Sequence, residues 1–145
     1  MNLVFGVGNE QDGDDGVGPY IAKNLKQEGW KGINCSVSPE DYTSVARQES
    51  PDLLLVVDAA DMGLPPGSMR TIPKEKVSEL AISTHYVPLS VLIKYLETLA
   101  KKVVFIGIQP KQKDNGLSEP VKKAAEKLLQ KIKENDVSSI KPITP

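Results

Sequence analysis

Two aspartates and one histidine are the residues of this chain whose types and positions suggest chemistry. Asp15 lies in a glycine-rich turn after an apolar segment, Asp58 directly follows the apolar run 53–57, and His85 is the sole histidine. Their side chains supply two oxygen ligands and one nitrogen ligand, a set that suits a divalent transition metal with open coordination positions. Because the set has no thiolate, we expect it to bind metal only moderately. The three residues predict one site if the fold brings them together.

The glycine-rich turn at residues 6–18 partly matches two other binding motifs. Gly6 and Gly8 after a strand suggest dinucleotide binding, in which glycines let the backbone approach a pyrophosphate. Gln11 stands where that fingerprint requires its third glycine, and the turn carries four acids that would repel phosphate: Glu10, Asp12, Asp14 and Asp15. A calcium loop fails because Lys23 occupies the position of the required glutamate. The turn therefore predicts neither a nucleotide site nor a calcium site.

Each candidate residue also has a purely structural interpretation. One of Asp14 and Asp15 would cap the helix after the turn, and the other would be free. Asp58 would accept hydrogen bonds from loop amides, since a carboxylate at the end of a buried strand needs a cation or donors to offset its desolvation. A lone histidine such as His85 is more often structural than a ligand. The combination of all three favours a functional site, whereas Asp61 is expected to face solvent.

Conventional nucleophiles are poorly supported by the sequence. Cys35 lies within a strand pattern with no histidine near it, and a chain with one cysteine has no internal disulfide. The motifs His-Glu-x-x-His and Gly-x-Ser-x-Gly are both missing from the sequence. We therefore expect neither a thiol nor a serine nucleophile.

Apolar runs that alternate with helical patterns predict the fold class. Strand-like runs occupy residues 3–7, 33–37, 53–57 and 103–108, with a shorter candidate at 68–72, and helical patterns follow Pro19, Pro88 and Ser118, with a shorter one at 39–48. This alternation predicts a three-layer α/β sandwich, with a mostly parallel twisted sheet of about five strands and helices on both faces. Ligands of such sheets bind beyond the carboxyl ends of the strands, where Asp15, Asp58 and Gln109 are expected.

Length and charge limit the classes of partner. A chain of 145 residues predicts a single domain over residues 1–145, and residues 136–145 are expected to form a loose tail because they show little apolar periodicity. The net charge of −1 gives no basis for binding nucleic acid or an anionic membrane. The apolar runs are too short to span a bilayer and no basic leader precedes the first strand, so we expect a cytoplasmic protein. One core accounts for the apolar content, which favours a monomer.

A series of motifs runs in order along the chain from Leu3 to about Leu129. They are Gly6-Val7-Gly8-Asn9, Asp14-Asp15-Gly16-Val17-Gly18-Pro19, Val57-Asp58-Ala59-Ala60-Asp61-Met62-Gly63, Pro66-Gly67, Thr84-His85 with Pro88-Leu89-Ser90, and Gly107-Ile108-Gln109-Pro110. Together they resemble the maturation endopeptidases of NiFe hydrogenases, and most of all the branch serving hydrogenase 3 of formate hydrogenlyase and related archaeal enzymes.

The resemblance implies an endopeptidase that removes a C-terminal extension from the large-subunit precursor of a NiFe hydrogenase after nickel insertion. The partner is then that precursor, which presents the nickel as a recognition element. The family's nickel-sensing acid falls on Asp15, the acid of its Asp-Ala motif on Asp58 and its histidine on His85, with a joint catalytic and metal-binding role and no assigned general base. Many relatives have Asp-Glu-Gly where this chain has Asp14-Asp15-Gly16, which shortens the first ligand by one methylene. The short polar loop 111–116 suggests a different precursor selection.

Two other functions stay open at this point. A non-catalytic nickel-binding or docking chaperone would bind a metalloprotein without shortening it. An aminopeptidase or amidase with a resident zinc ion would hold metal tightly and cleave generic peptides, which the modest ligand set does not favour.

Overall fold

The computed structural model describes residues 1–77, 81–82, 88–112 and 116–143, with residues 81 and 82 described by their backbone alone. His85 lies outside the described residues. Within them, six strands form one sheet: β1 Asn2–Val7, β2 Trp30–Ser36, β3 Leu53–Asp61, β4 Met69–Ile72, β5 Ala81–Ile82 and β6 Lys102–Ile108. The order along the main path is β2-β1-β3-β6-β4, and β5 pairs with β3. Strands β1, β2, β3 and β6 are mutually parallel, whereas β4 and β5 run antiparallel to their neighbours.

Helices connect the parallel strands, as crossover connections require. The α-helices are α1 Val17–Asn24, α2 Thr43–Glu49, α3 Lys74–Val77, α4 Leu89–Leu96 and α5 Glu119–Lys133, and short 3₁₀ helices occupy Gly13–Gly16, Pro39–Tyr42 and Val137–Ser139. Over the described ranges, no helix combines the length and the apolar character that crossing a bilayer requires.

The two faces of the sheet bury separate apolar clusters, because successive side chains of a strand point to opposite faces. Along β3, Leu54 and Val56 contribute to one cluster, which α2 and α4 cover. Leu55 and Val57 contribute to the other, which α1 and α5 cover. The predicted three-layer α/β sandwich with a mostly parallel sheet is confirmed.

Strand β3 is longer than its apolar run. The sequence predicts that the strand ends at Val57, but it continues through Asp61. Pairing explains the extension, since Asp58 is still opposite Gly107 of β6 and Asp61 is opposite Ala81 of β5. Asp58 is therefore a residue within a strand rather than the first residue of a loop.

Two helices end earlier than predicted. The sequence predicts that Gly29 stops the first helix, but α1 ends at Asn24 and Leu25 is already extended. The helical pattern after Pro88 continues to Leu99, yet α4 ends at Leu96. Beyond that point the chain continues in three-residue turns, with the Leu99 N–H bonded to the Leu96 carbonyl. Apolar spacing persists in these turns, which conceals the end of the helix.

The predicted loose tail at residues 136–145 is ordered by the sheet edge as far as Ile143. The Thr71 N–H donates to the Lys141 carbonyl, and the Ile143 N–H donates to the Thr71 carbonyl, both at 2.9 Å. Ile140 is buried in the α1 and α5 side of the core. Strand β4 is an edge strand, so it has free backbone groups that this segment satisfies.

Candidate active site

The parallel strands end together at what we call the carboxyl edge, which carries Gly8, Asp58 and Gln109. Pairing between β1 and β3 stops at Gly6 and Val57, whereas β3 and β6 stay paired beyond that point. Asp58 is thus the first residue of β3 after its pairing with β1 ends. The chain leaves β1 after Val7, and Gly8 then passes next to the Asp58 carboxylate.

Gly8 brings the glycine-rich turn against Asp58. Its φ of 143° is rare for residues with a side chain. A Cβ on Gly8 would lie 1.8 Å from the backbone oxygen of Asp15 and 3.6 Å from Oδ1 of Asp58. The Asp15 main chain and the Asp58 carboxylate therefore both lie against Gly8, and a side chain at this position would clash with the Asp15 backbone.

Gly18 allows a second close approach, between α1 and the strand ends. A Cβ on Gly18 would lie 2.4 Å from the Val7 oxygen and 2.5 Å from the Val57 oxygen. Helix α1 therefore rests directly on β1 and β3 at the carboxyl edge. This contact fixes the 3₁₀ turn Gly13–Gly16, which carries Asp15, relative to Asp58.

Asp15 is half-buried, and its carboxylate closes the turn. Its Oδ2 accepts a hydrogen bond of 3.0 Å from the backbone N–H of Asn9. The Asn9 side chain in turn accepts a 2.9 Å bond from the Gln11 N–H. The expectation that one of Asp14 and Asp15 caps the following helix while the other is free is wrong, because Gly16 occupies the cap position and both acids have partners.

Asp14 is fully buried and joins the turn to the start of α5. Ser118 donates to its carboxylate from the backbone N–H at 2.6 Å and from Oγ at 2.8 Å, and the N–H groups of Lys111 and Gln112 donate at 2.8 and 2.9 Å. Burial by itself raises the pKa of Asp14, but the hydrogen bonds from Ser118, Gln112 and Lys111 outweigh it and hold the pKa below its ordinary value. Asp14 is a structural anion beside the proposed ligand.

The sequence interpretation did not find this role of Asp14. Its partners lie about a hundred positions away, and no local pattern connects them. The available signal was an extra acid in a turn that otherwise needs small residues.

Glu10 attaches the turn to two further elements. Lys23 of α1 donates to its carboxylate at 2.7 Å, and the Asn34 side chain of β2 donates at 2.6 Å. The bond from Lys23 is the main reason that the pKa of Glu10 lies below its usual value. The sequence presents Glu10 only as an acid that would repel phosphate, whereas the structure gives it a positioning role at the surface.

Gln109 organises the other side of the carboxyl edge. Its buried side-chain Oε1 accepts bonds from the N–H groups of Met62 at 2.6 Å and Leu64 at 3.3 Å, and its Nε2 donates to Asp61 at 3.1 Å. The bond from Gln109, with a second from the Gly63 N–H, holds the pKa of Asp61 below its ordinary value. Asp61 faces solvent as predicted, but its carboxylate is fixed in place.

Asp58 is the fully buried acid of the edge, with 0 % of its surface exposed. In the part of the chain that the structure describes, every buried polar side-chain atom has a hydrogen-bond partner. A buried carboxylate requires such partners, because hydrogen bonds or a cation must offset its desolvation. We therefore take the Asp58 carboxylate as the main candidate for chemistry at the carboxyl edge.

The structure brings together two of the three predicted site residues. Asp15 and Asp58 flank Gly8, and His85 lies outside the described residues, so its position stays a prediction. No group of three or more His, Cys, Asp or Glu side chains suited to a metal occurs among the described residues. The two carboxylates supply oxygen ligands, and a complete metal site needs the third ligand that the sequence assigns to His85.

Cys35 takes no part in this arrangement. The thiol is fully buried in the core on the α2 and α4 side. Burial, with a smaller contribution from the charge of Glu40, raises the pKa of the Cys35 thiol. The prediction against a catalytic thiol agrees with this environment.

Comparison with known proteins identifies the family of this chain. Residues 19–135 match the family described as hydrogenase maturation protease. The hydrogenase 3 maturation protease of Escherichia coli K12 is 36% identical over 137 residues, which cover 90% of this chain and 88% of that protein.

Solved structures give the same result. The solution structure of an endopeptidase from Escherichia coli has a TM-score of 0.88 at 31% identity and covers 99% of this chain and 97% of its own. A NiFe hydrogenase maturation protease from Thermococcus kodakarensis has a TM-score of 0.81 at 31% identity and covers 94% of this chain and 92% of its own. The chain therefore belongs to the hydrogenase maturation proteases and is a peptidase with endopeptidase activity in hydrogenase maturation.

Proposed function

We propose that this protein removes the C-terminal extension from the large-subunit precursor of a NiFe hydrogenase after nickel has been inserted, and that nickel in the precursor is the recognition element. The observation that carries the proposal is the position of Asp58, a fully buried carboxylate at the carboxyl edge, across Gly8 from Asp15. The names of the relatives support the substrate class, since they are maturation proteases of hydrogenase 3 and of a NiFe hydrogenase.

The chemistry of the donor set fits a metal that belongs to the substrate. Asp15 and Asp58 offer carboxylate oxygens, and His85 is assigned as the third ligand. A set without thiolate binds nickel less tightly than cysteine ligands would, so it is suited to contact the metal without removing it from the precursor. Bound nickel would supply Lewis acidity next to the scissile peptide.

The chain's own residues position the peptide and handle protons. Gly8 has no side chain, so the Asp15 main chain and the Asp58 carboxylate can both lie against the same backbone position. The Gln109 side chain fixes the loop after β3 on one side, and the Asp14 carboxylate fixes the loop after β6 on the other. A rigid edge of this kind favours orientation of the scissile bond and its attacking water. Asp15, Asp58 and His85 act jointly, and the proposal assigns the general base to none of them.

The remaining properties of the proposal follow from charge and composition. The net charge of −1 gives no electrostatic basis for binding nucleic acid, and we place the protein in the cytoplasm as a monomer that meets its precursor there.

The test is a precursor-processing assay with the purified protein. A matching large-subunit precursor is supplied with and without nickel, and its mass is followed by mass spectrometry. His85→Ala is run in parallel, with Gln48→Ala on the exposed side of α2 as the matched control. We expect loss of a C-terminal peptide that depends on nickel, is retained in Gln48→Ala and is absent in His85→Ala.

Three outcomes would contradict parts of the proposal. Equal cleavage with and without nickel would remove the recognition role of the metal. Full cleavage by His85→Ala would remove His85 from the site. Binding of the nickel-loaded precursor without any shortening would favour a docking chaperone over a peptidase acting on that precursor.

A further inference from the structure

A cavity next to α5 is lined by several positively charged side chains. It has a volume of about 270 Å³ and lies between β4, α5 and the C-terminal segment. Four cationic side chains line it, and we call it the cationic cavity: Arg70, Lys127, Lys131 and Lys141. None of its lining residues belongs to the carboxyl edge site. The whole chain has a net charge of −1, so this concentration of one sign is local.

The fold places these cations from three separate elements. Lys127 and Lys131 are four residues apart on α5, which puts them on the same side of the helix. Arg70 lies on β4 opposite Gly107 of β6. Lys141 is set beside β4 by the hydrogen bond that its carbonyl accepts from the Thr71 N–H.

Lys131 is held in a fixed orientation within the cavity. Its side chain is only 18% exposed, and its ammonium group donates to Ser139 Oγ at 2.5 Å. Asp136 lies 3.6 Å from the same ammonium group, but it is not one of the residues that line the cavity. Asp136 thus offsets one of the four cations from just outside the cavity, and the described lining itself contains no carboxylate to balance the other three.

The electrostatic consequence is a site that favours an anion. Like charges in one concave surface repel each other, and partial exclusion of water strengthens that repulsion. A bound anion with several charges would relieve it. Arg70 supplies a planar fork suited to carboxylate or phosphate oxygens, and the lysines supply point charges around it.

We propose that the cationic cavity is a binding site for a small multivalent oxyanion. The volume is slightly below the range of about 300 to 1,000 Å³ typical of pockets for drug-sized ligands, which suits a compact polyanion. Phosphate and carboxylate groups present the same anionic oxygens to these side chains. The ligand can therefore belong to either class.

The experiment measures binding of two named probes, inorganic pyrophosphate and citrate, by isothermal titration calorimetry at near-physiological salt. The variant Lys127→Gln with Lys141→Gln removes two exposed cations of the cavity. The matched control, Lys122→Gln with Lys123→Gln, removes two exposed cations from the first part of α5 outside the cavity. We expect saturable binding that is weakened at least about tenfold in the cavity variant and changes less than about twofold in the control.

The pattern of binding identifies the anion and tests the proposal. Pyrophosphate alone would assign a phosphate ligand, citrate alone a carboxylate ligand, and both a general oxyanion site. Thermal unfolding in the presence of the bound probe should shift upward in the wild type, because a ligand that binds the folded state stabilises it. Arg70→Gln provides a second, single-residue variant should the double variant unfold. Absence of saturable binding by both probes, or equal affinity in the cavity variant and the control, would overturn the proposal.

Discussion

The buried carboxylate of Asp14 accepts two hydrogen bonds from Ser118, one from its N–H at 2.6 Å and one from its Oγ at 2.8 Å. This pair joins the turn after β1 to the residue that precedes α5. The neighbouring residue Asp15 forms one side of the proposed site, so the geometry of the site depends on a contact that spans most of the chain.

We predict that Asp14→Asn destabilises the protein without creating a cavity. The amide would present a donor to groups that are themselves donors, namely Ser118, Lys111 and Gln112, and this mismatch should cost about 3 kcal/mol of unfolding free energy. Chemical denaturation of the two proteins measures the difference. Ser138→Ala, at an exposed serine near the C-terminus, serves as a control and should leave the unfolding free energy within about 0.5 kcal/mol.

Asp14→Asn should also change how the stability of the protein depends on pH. The pKa of Asp14 is lowered in the folded state, so its contribution to stability is complete above the ordinary value of 3.8 and is lost as the pH falls through the lower folded-state value. Asp14→Asn has no such group and should lose less stability than the wild type below about pH 4. Melting temperatures measured between neutral and acidic pH provide the test, and parallel curves for the two proteins would speak against it.

Asp58→Asn should abolish precursor processing and keep the fold. The asparagine has nearly the same shape, but it lacks the charge that the proposed site requires, so we expect the cleavage rate to fall by at least about 100-fold. Asp52→Asn is the matched control, because Asp52 precedes the same strand, is exposed and pairs with Lys101 at 3.0 Å. Single-turnover cleavage with circular dichroism of each variant separates activity from folding. Normal processing by Asp58→Asn would remove Asp58 from the catalytic role.

Gly8→Ala should damage both stability and activity. The added Cβ would lie 1.8 Å from the Asp15 backbone oxygen at a φ of 143°, so the turn has to move, at a cost of more than about 3 kcal/mol. Gly29→Ala has a positive φ of 83° but open space around the new Cβ, and it should cost only about 1 kcal/mol. Urea denaturation compares the two variants. If they were equally destabilised, backbone strain rather than the contact with Asp15 would be the cause.

Gln109→Ala should release the loop after β3. The Met62 and Leu64 N–H groups would lose their acceptor, which should cost about 2 kcal/mol. The pKa of Asp61 should also rise toward its ordinary value, because the hydrogen bond from Gln109 is the main cause of its lowering. Carbon-detected NMR titration of the Asp61 carboxyl group measures this change, and an unchanged pKa would show that the bond from Gly63 suffices.

Cys35 should be inert in the folded protein. Its thiol is fully buried and its pKa is raised, so the reactive thiolate is scarce and inaccessible. A maleimide reagent should label Cys35 only after denaturation, as intact mass spectrometry would show. Cys35→Ala should retain precursor processing, and loss of processing by a folded Cys35→Ala protein would contradict the assignment of the site to carboxylates and histidine.

The sequence determined the layers of the fold because its signals are local. Runs of apolar residues bounded by turn residues are sufficient to predict β1, β3 and β6, and the spacing of apolar residues predicts α5. The general rule for parallel sheets then placed Asp58 and Gln109 at one edge. The boundaries were less predictable, since β3 extends through Asp61 only because neighbouring strands continue to pair with it.

Tertiary structure alone determined the separate roles of Asp14 and Asp15. The sequence presents Asp14 and Asp15 as equivalent neighbours, and it is the approach of Ser118 and residues 111–112 that buries Asp14 as a structural anion and directs Asp15 to the turn. The order in the C-terminal segment arose in the same way, because the free edge of β4 supplies partners that no local pattern reveals. Local periodicity encodes the elements, whereas burial and hydrogen bonding between distant residues determine the roles of individual side chains.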